Sequence, residues 1–196
     1  MALKLPLSGD DDADQLLEDD PLALLIGMVL DQQIPLERAF KSPFDLKERR
    51  GGRLEVHDIA GADPDEMAAV FAKPPALHRF PASMSKRVQE LCAHLVDEYG
   101  GRAEAVWKEA ADGADLLRRV KALPGFGDQK AKIFVALLGK RLGVVPAGWE
   151  NAAGEYGAEG TFKSVADIDG PESLGRVRAY KKEMKAAAKA AQAEKG

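Results

Sequence analysis

The sequence predicts an all-α protein. Helix-start signals recur along the chain, apolar residues repeat at three- and four-residue spacing, and no segment alternates apolar and polar residues as a half-buried strand would. Asp20-Pro21 supplies an N-cap and a first-turn proline, and the apolar run Leu22 to Leu30 that follows predicts a helix buried on most sides. Ile34-Pro35 restarts a helix through Phe40, and Ser42-Pro43 starts another that ends before Gly51-Gly52. Asp63-Pro64-Asp65-Glu66 has the capping-box arrangement and opens a helix that stops at Pro74-Pro75. Ser83 to Tyr99 is amphipathic, with Val88, Leu91, Cys92, Leu95 and Val96 on one face and Gly100-Gly101 as its stop. A short helix from Asp115 reaches Leu123. After Pro124-Gly125-Phe126-Gly127, another runs from Asp128 to about Leu142. A long, alanine-rich, basic helix runs from Pro171 to about Ala191, with Glu172 at its start and lysines in its later turns, which suits the helix dipole.

Composition excludes several classes of function. A single cysteine, Cys92, excludes a disulfide framework and a four-cysteine zinc or iron–sulfur site. The longest mostly apolar run is Pro21 to Leu30, and a bilayer span needs ~20 residues. The N-terminal residues read as no signal peptide, so the expectation is a reduced, cytoplasmic globular protein. The 196 residues suit one domain, or two small lobes sharing a core. The net charge of −4 is unevenly spread. Residues 1–20 carry seven acids against one lysine. From Asp115 to Arg141 there are seven bases and two acids, and from Pro171 onward seven bases and three acids. The two basic stretches either contact phosphates or form solvated helix faces.

The informative segment runs from Leu117 to Ala131. Two helices meet there at a turn with glycines at alternate positions, Gly125 and Gly127. Such a turn lets a ligand approach backbone N–H groups closely, and the N-terminus of the second helix favours an anion. Lys121, Lys130 and Lys132 surround the same spot, so a phosphate is the natural guest, against a simple helical hairpin closed by glycine.

Leu123-Pro124-Gly125-Phe126-Gly127 resembles the hairpin of the helix-hairpin-helix DNA glycosylase (HhH-GPD) superfamily. Asp20 to Gln33 resembles that family's early helix ending in a glutamine, and Ser85 to Gly101 its helix before the hairpin. The resemblance covers roughly residues 20–145 and extends to a compact bacterial branch of base-excision repair proteins. It implies two helical lobes with duplex DNA between them and a hairpin that grips a backbone phosphate, with a monovalent cation as a possible helper. It also implies a flipped base whose place is taken by a side chain near Gln33, with Gln32 beside it. The other role open to both glutamines is capping the preceding helix. Expected DNA-binding residues are Gln32, Gln33, Lys121, Gly125, Phe126, Gly127, Gln129 and Lys130. No other cofactor and no iron–sulfur cluster are implied. The implied partner is lesion-bearing duplex DNA, the implied state a monomer, and the implied location the bacterial nucleoid. The division that follows is an acidic arm over 1–20, a core over 21–145 with its hairpin at 115–142, and a C-terminal segment over 146–196.

The chain departs from the family at the chemistry. Gln129 stands where lyase-competent members carry lysine, so no Schiff base is expected there. The family's catalytic aspartate falls at Ala147, and no aspartate lies between Asp128 and Asp167. Glu150, one helical turn beyond Ala147, is the candidate catalytic carboxylate, with Asp31 and Asp128 as alternatives. Lys130 is expected to contact phosphate. Trp149, Tyr156 and Phe162 either stack on a flipped base or pack the core. Trp149 with Asp31 is the candidate lining of a base pocket. His57, His78 and His94 lack metal-ligand spacing, and Cys92 reads as buried helix face. The bases of the C-terminal helix recur at mixed spacings, some facing DNA and others solvent, and the acidic arm reads as a disordered solubilising tail. The sequence therefore supports a monofunctional DNA N-glycosylase first. A non-catalytic DNA-binding protein of the same fold comes second, and an interaction module with a coincidental hairpin third.

Overall fold

Residues 4–196 are described by the computed structural model, which forms eleven α-helices and two 3-10 turns with no strand among those residues. α1 (Asp11–Asp19) corrects the expected disordered arm. The Asp10 carboxylate caps it by accepting the Ala13 N–H at 3.1 Å. Leu5, Leu7 and Leu17 are fully buried, so the acidic stretch carries its own apolar face. Asp14 turns inward and accepts the N–H groups of Leu7 at 3.2 Å and Ser8 at 2.7 Å. Residues 1–3 of the expected arm lie outside the described residues.

α2 (Pro21–Leu30) is the centre of the core, with every residue from Leu22 to Leu30 buried. Asp20 caps it as expected, accepting the Leu22 N–H at 2.9 Å. α3 (Leu36–Arg49) packs on α1 and α2 and replaces the two short helices expected there. Pro43 sits inside it. One i→i−4 bond is lost at a proline, and the helix continues because Phe40, Pro43 and Leu46 all face the core.

α4 (Val56–Ala60) has no sequence signal, whereas α5 (Pro64–Ala72) begins at the expected cap, with Asp63 accepting the Asp65 and Glu66 N–H groups. Both pack on α6 (Pro81–Tyr99), which starts two residues before the expected Ser83 and ends at left-handed Gly100. α7 (Ala105–Lys108) leads to α8 (Gly113–Lys121), capped by Asp112, and then to α9 (Asp128–Leu142). α10 (Trp149–Ala153) and the 3-10 turns Gly154–Tyr156 and Val165–Asp167 pack along α9. The pairing of Lys140 with nearly buried Asp167 at 2.6 Å fastens the second turn to α9. α11 (Pro171–Ala193) follows and leaves the body after its first turns.

Candidate nucleic-acid interface

The hairpin between α8 and α9 is closed by the Phe126 N–H donating to Leu123 O at 3.1 Å. Gly125 has φ +91°, a conformation L side chains rarely adopt, and a Cβ there would lie 3.2 Å from Val29 Cγ2. The turn is therefore seated on the last residues of α2. The Phe126 side chain points the other way from the one expected of a DNA contact. It is only 5% exposed and tilts against Phe134 with ring centroids 5.7 Å apart. Its N–H is also used internally, so Phe126 holds the hairpin and does not present itself to a ligand. Apolar burial decides this, because a phenyl ring gains far more inside than beside a phosphate.

Gly127 is different. It is the N-cap of α9, no side chain caps that end, and a Cβ on it would meet nothing within 4 Å. The first-turn amides of α9 and the positive end of its dipole are therefore offered outward. Lys121 and Lys132 flank this end, each 3.0 Å from one oxygen of exposed Asp128. The two ammonium groups hold the Asp128 carboxyl below its ordinary value.

Gln129 and Lys130 diverge at the first turn of α9. Gln129 Nε2 donates to the Tyr156 hydroxyl at 2.9 Å. Lys130 is turned inward, against the expectation of a phosphate contact, and its Nζ lies 2.7 Å from Met28 O and 3.4 Å from Val29 O. The last carbonyls of a helix have no partner within it, and a lysine supplies a donor that also opposes the negative end of the dipole. Burial pushes the Lys130 pKa down, while the Asp31 carboxylate works against that shift. Asp31 is the C-cap residue of α2. Burial pushes its carboxyl up, and the positive charges of Lys181 and Lys130 oppose that.

The chain then turns sharply. Gln32 Nε2 donates to Val29 O at 2.9 Å, so this side chain takes the helix-capping role. Gln33 is exposed and adopts φ 58°, the one described non-glycine residue with positive φ. His78 holds the turn from the opposite side. Its Nδ1 accepts the Phe80 N–H at 3.0 Å, which makes Nε2 the protonated nitrogen, and Nε2 donates to Gln32 O at 2.9 Å. The ring is 2% exposed, and burial pushes its pKa down, so it stays neutral. No sequence spacing singled out His78. Its role depends on a contact 46 residues back in the chain.

Asp31, Gln32, Gln33, Gly125 and Lys130 thus converge at the end of α2. Glu150 and Trp149 do not join them. The Trp149 ring lies over Gly139, where an added Cβ would be 2.3 Å from it. Gly139 is ten residues along α9 from Gln129, roughly 15 Å up the helix. Ala147 O accepts the Gly113 N–H at 2.8 Å, at the start of α8 and the end away from the hairpin. Exposed Glu150 shares a shallow groove with Val145 to Asn151. Trp149 therefore packs a helix, and the pairing of Trp149 with Asp31 in one pocket is not formed. Tyr156 is 8% exposed, and Phe162 carries the Arg176 guanidinium 3.6 Å above its ring. Buried Cys92 is pushed up to about 12 and is inert. Among the described residues no group of three or more His, Cys, Asp or Glu is placed to hold a metal ion, and no helix is long and apolar enough to cross a membrane.

A glycine hairpin between two helices, an open helix N-terminus and flanking lysines form the arrangement of a helix-hairpin-helix DNA-binding protein. The HhH-GPD superfamily of base excision DNA repair proteins matches this chain over residues 26–193, and the chain belongs to that family. It is a base excision DNA repair protein. No curated protein matched the chain, and no solved structure did.

Proposed function

We propose that the protein is a monofunctional DNA N-glycosylase that removes a damaged or atypical base from duplex DNA, with Asp31 as its carboxylate. The reading is carried by one observation: the half-buried Asp31 carboxylate, within the electrostatic reach of the Lys130 ammonium, lies at the same helix end as the hairpin seat and the exposed Gln33 turn. The α9 amides, Lys121, Gly125 and Gly127 hold a backbone phosphate. Gln33 fills the space of the flipped base and hydrogen-bonds its orphaned partner. The Asp31 carboxylate stabilises positive charge developing on the deoxyribose as the N-glycosidic bond breaks. The bonding electrons leave with the base. Water adds its oxygen to C1′, and its proton passes to Asp31, leaving an abasic site. Gln129 has no amine for a Schiff base, and the Lys130 ammonium is occupied on α2, so no strand cleavage accompanies base loss.

Glu150 is the weaker candidate because it is exposed and remote from that helix end. A monovalent cation at the hairpin is part of this reading, with Leu123 O, which gives one lone pair to Phe126 N–H and keeps a second, as one of its ligands. It would strengthen the anion site. The protein acts as a monomer in the cytoplasm, at the nucleoid. Ala147 at the family's aspartate position favours a second reading, a non-catalytic protein that recognises distorted DNA.

The test is a cleavage screen on duplexes each carrying uracil, hypoxanthine, 8-oxoguanine, an alkylated purine or an oxidised pyrimidine, with and without hot alkali. Strand breaks only after alkali support the proposal. Breaks without alkali contradict the monofunctional reading. Tight binding without any break transfers the weight to the second reading.

A further inference from the structure

α11 is held by its first half only. Ser173 and Val177 are its buried residues, Leu174 and Tyr180 are half-buried, and every residue from Lys181 onward is exposed. Yet the helix continues to Ala193, supported by the alanines of its free half. At 100° per residue, Arg178, Lys181, Lys182, Lys185 and Lys189 all fall within an arc of about 100°. The mixed spacings seen in the sequence therefore form one stripe. The helix's acids, Glu172, Glu183 and Glu194, lie on the opposite side with Arg176, whose guanidinium is already stacked on Phe162.

The stripe begins at the Gln33 turn. Arg178 pairs with Glu37 in the first turn of α3, and the Lys181 charge bears on Asp31. Among the described residues, Lys181, Lys182, Lys185 and Lys189 make no ion pair. From Arg178 to Lys189 the stripe extends roughly 16 Å. One DNA strand presents a phosphate every 3.4 Å along the axis, so that length faces about five phosphates.

We propose that this stripe is a second DNA-binding surface, an arm that tracks the phosphates of the duplex beside the lesion. It rests on the DNA-repair reading of the hairpin and adds a contact that the hairpin does not supply. The arm reads no base, because its side chains offer only positive charge to a continuous backbone.

The test uses the full chain and the variant Lys181→Ala/Lys182→Ala/Lys185→Ala/Lys189→Ala. Affinity for an undamaged 30-base-pair duplex is measured from 50 to 200 mM salt, with light scattering for mass. Loss of four phosphate contacts should reduce the slope of log K against log salt by about 3 to 4. It should also remove the wild-type gain in affinity when the duplex is lengthened beyond the hairpin's footprint. An unchanged slope and length dependence, with wild-type binding intact, overturns the arm. So does a variant that changes only its mass, since the helix would then serve self-association. Failure of the wild type to bind any duplex would instead count against the DNA-binding reading.

Discussion

Lys130 Nζ donates to the carbonyl oxygen of Met28 at 2.7 Å, across 102 residues of chain. A side chain from the hairpin helix thereby caps the helix that carries Asp31 and Gln33. The DNA grip and the candidate catalytic carboxylate are joined through one ammonium group.

Lys130→Met should cost about 1.5–3 kcal/mol, the usual worth of a charged hydrogen bond, measured by urea unfolding. It also removes a positive charge that lowers the Asp31 pKa. The Asp31 pKa then rises further, so the acid limb of the base-release profile should move to higher pH. A limb that stays in place would separate Lys130 from the chemistry.

Asp31→Asn should reduce base release by about 10²–10⁴-fold, the range for losing a positioned acid–base group. Stability should move the other way. A carboxyl whose folded pKa is raised stabilises the fold below its unfolded value and loses that contribution as pH rises through the folded pKa. The asparagine variant should therefore melt higher than wild type at pH 7 and match it near pH 3. A lower melting temperature at pH 7 would show that the ionised carboxylate is a structural partner.

The two hairpin glycines should separate by experiment. Gly125→Ala should destabilise by about 1–2 kcal/mol, because φ +91° is left-handed and Val29 stands 3.2 Å away. Gly127→Ala should leave stability within about 0.5 kcal/mol, since its Cβ meets nothing. It should still weaken duplex binding about tenfold, roughly one hydrogen bond's worth, by occupying the space of the phosphate. Equal binding by wild type and Gly127→Ala would remove the α9 N-terminus from the interface.

Gln33→Gly should be neutral to about 1 kcal/mol more stable, because glycine accepts φ 58° without strain. Its affinity for a duplex containing an abasic site should fall about tenfold, while undamaged duplex binds as before. Competition binding on the two duplexes reads the ratio directly. Loss on both would make Gln33 a general backbone contact.

Local chemistry was the legible part of the fold. Asp20-Pro21, Asp63-Pro64 and Gly100 act within one helical turn, and each stands at the boundary it predicts. The hairpin was legible for the same reason. The acidic stretch was misread because its charge outweighed Leu5, Leu7 and Leu17, whose partners are distant in sequence. Pro43 looked like a helix start because a proline signal does not reveal that its ring faces a core. At the site, residue types were legible and directions were not. Lys130 and Phe126 both turn inward because α2 and Phe134 lie beneath them, and His78 acts through a carbonyl 46 residues away. The helix of the α11 stripe was legible, but that its half from Lys181 onward stands free of the body and that Arg178 pairs with Glu37 beside the Gln33 turn depend on contacts distant in sequence.

Phe126 on Phe134, Gly125 on Val29 and Lys130 on Met28 tie one short loop to the interior at three points. Such a loop arrives at DNA with its shape already set. Little ordering accompanies docking, and the loop yields little to meet a duplex that does not match it. The deformation falls on the nucleic acid. For the glycosylase proposed above, a rigid jaw of this kind would survey the duplex by its compliance, and flexible or unpaired steps would engage it more readily than stiff ones before any base is inspected.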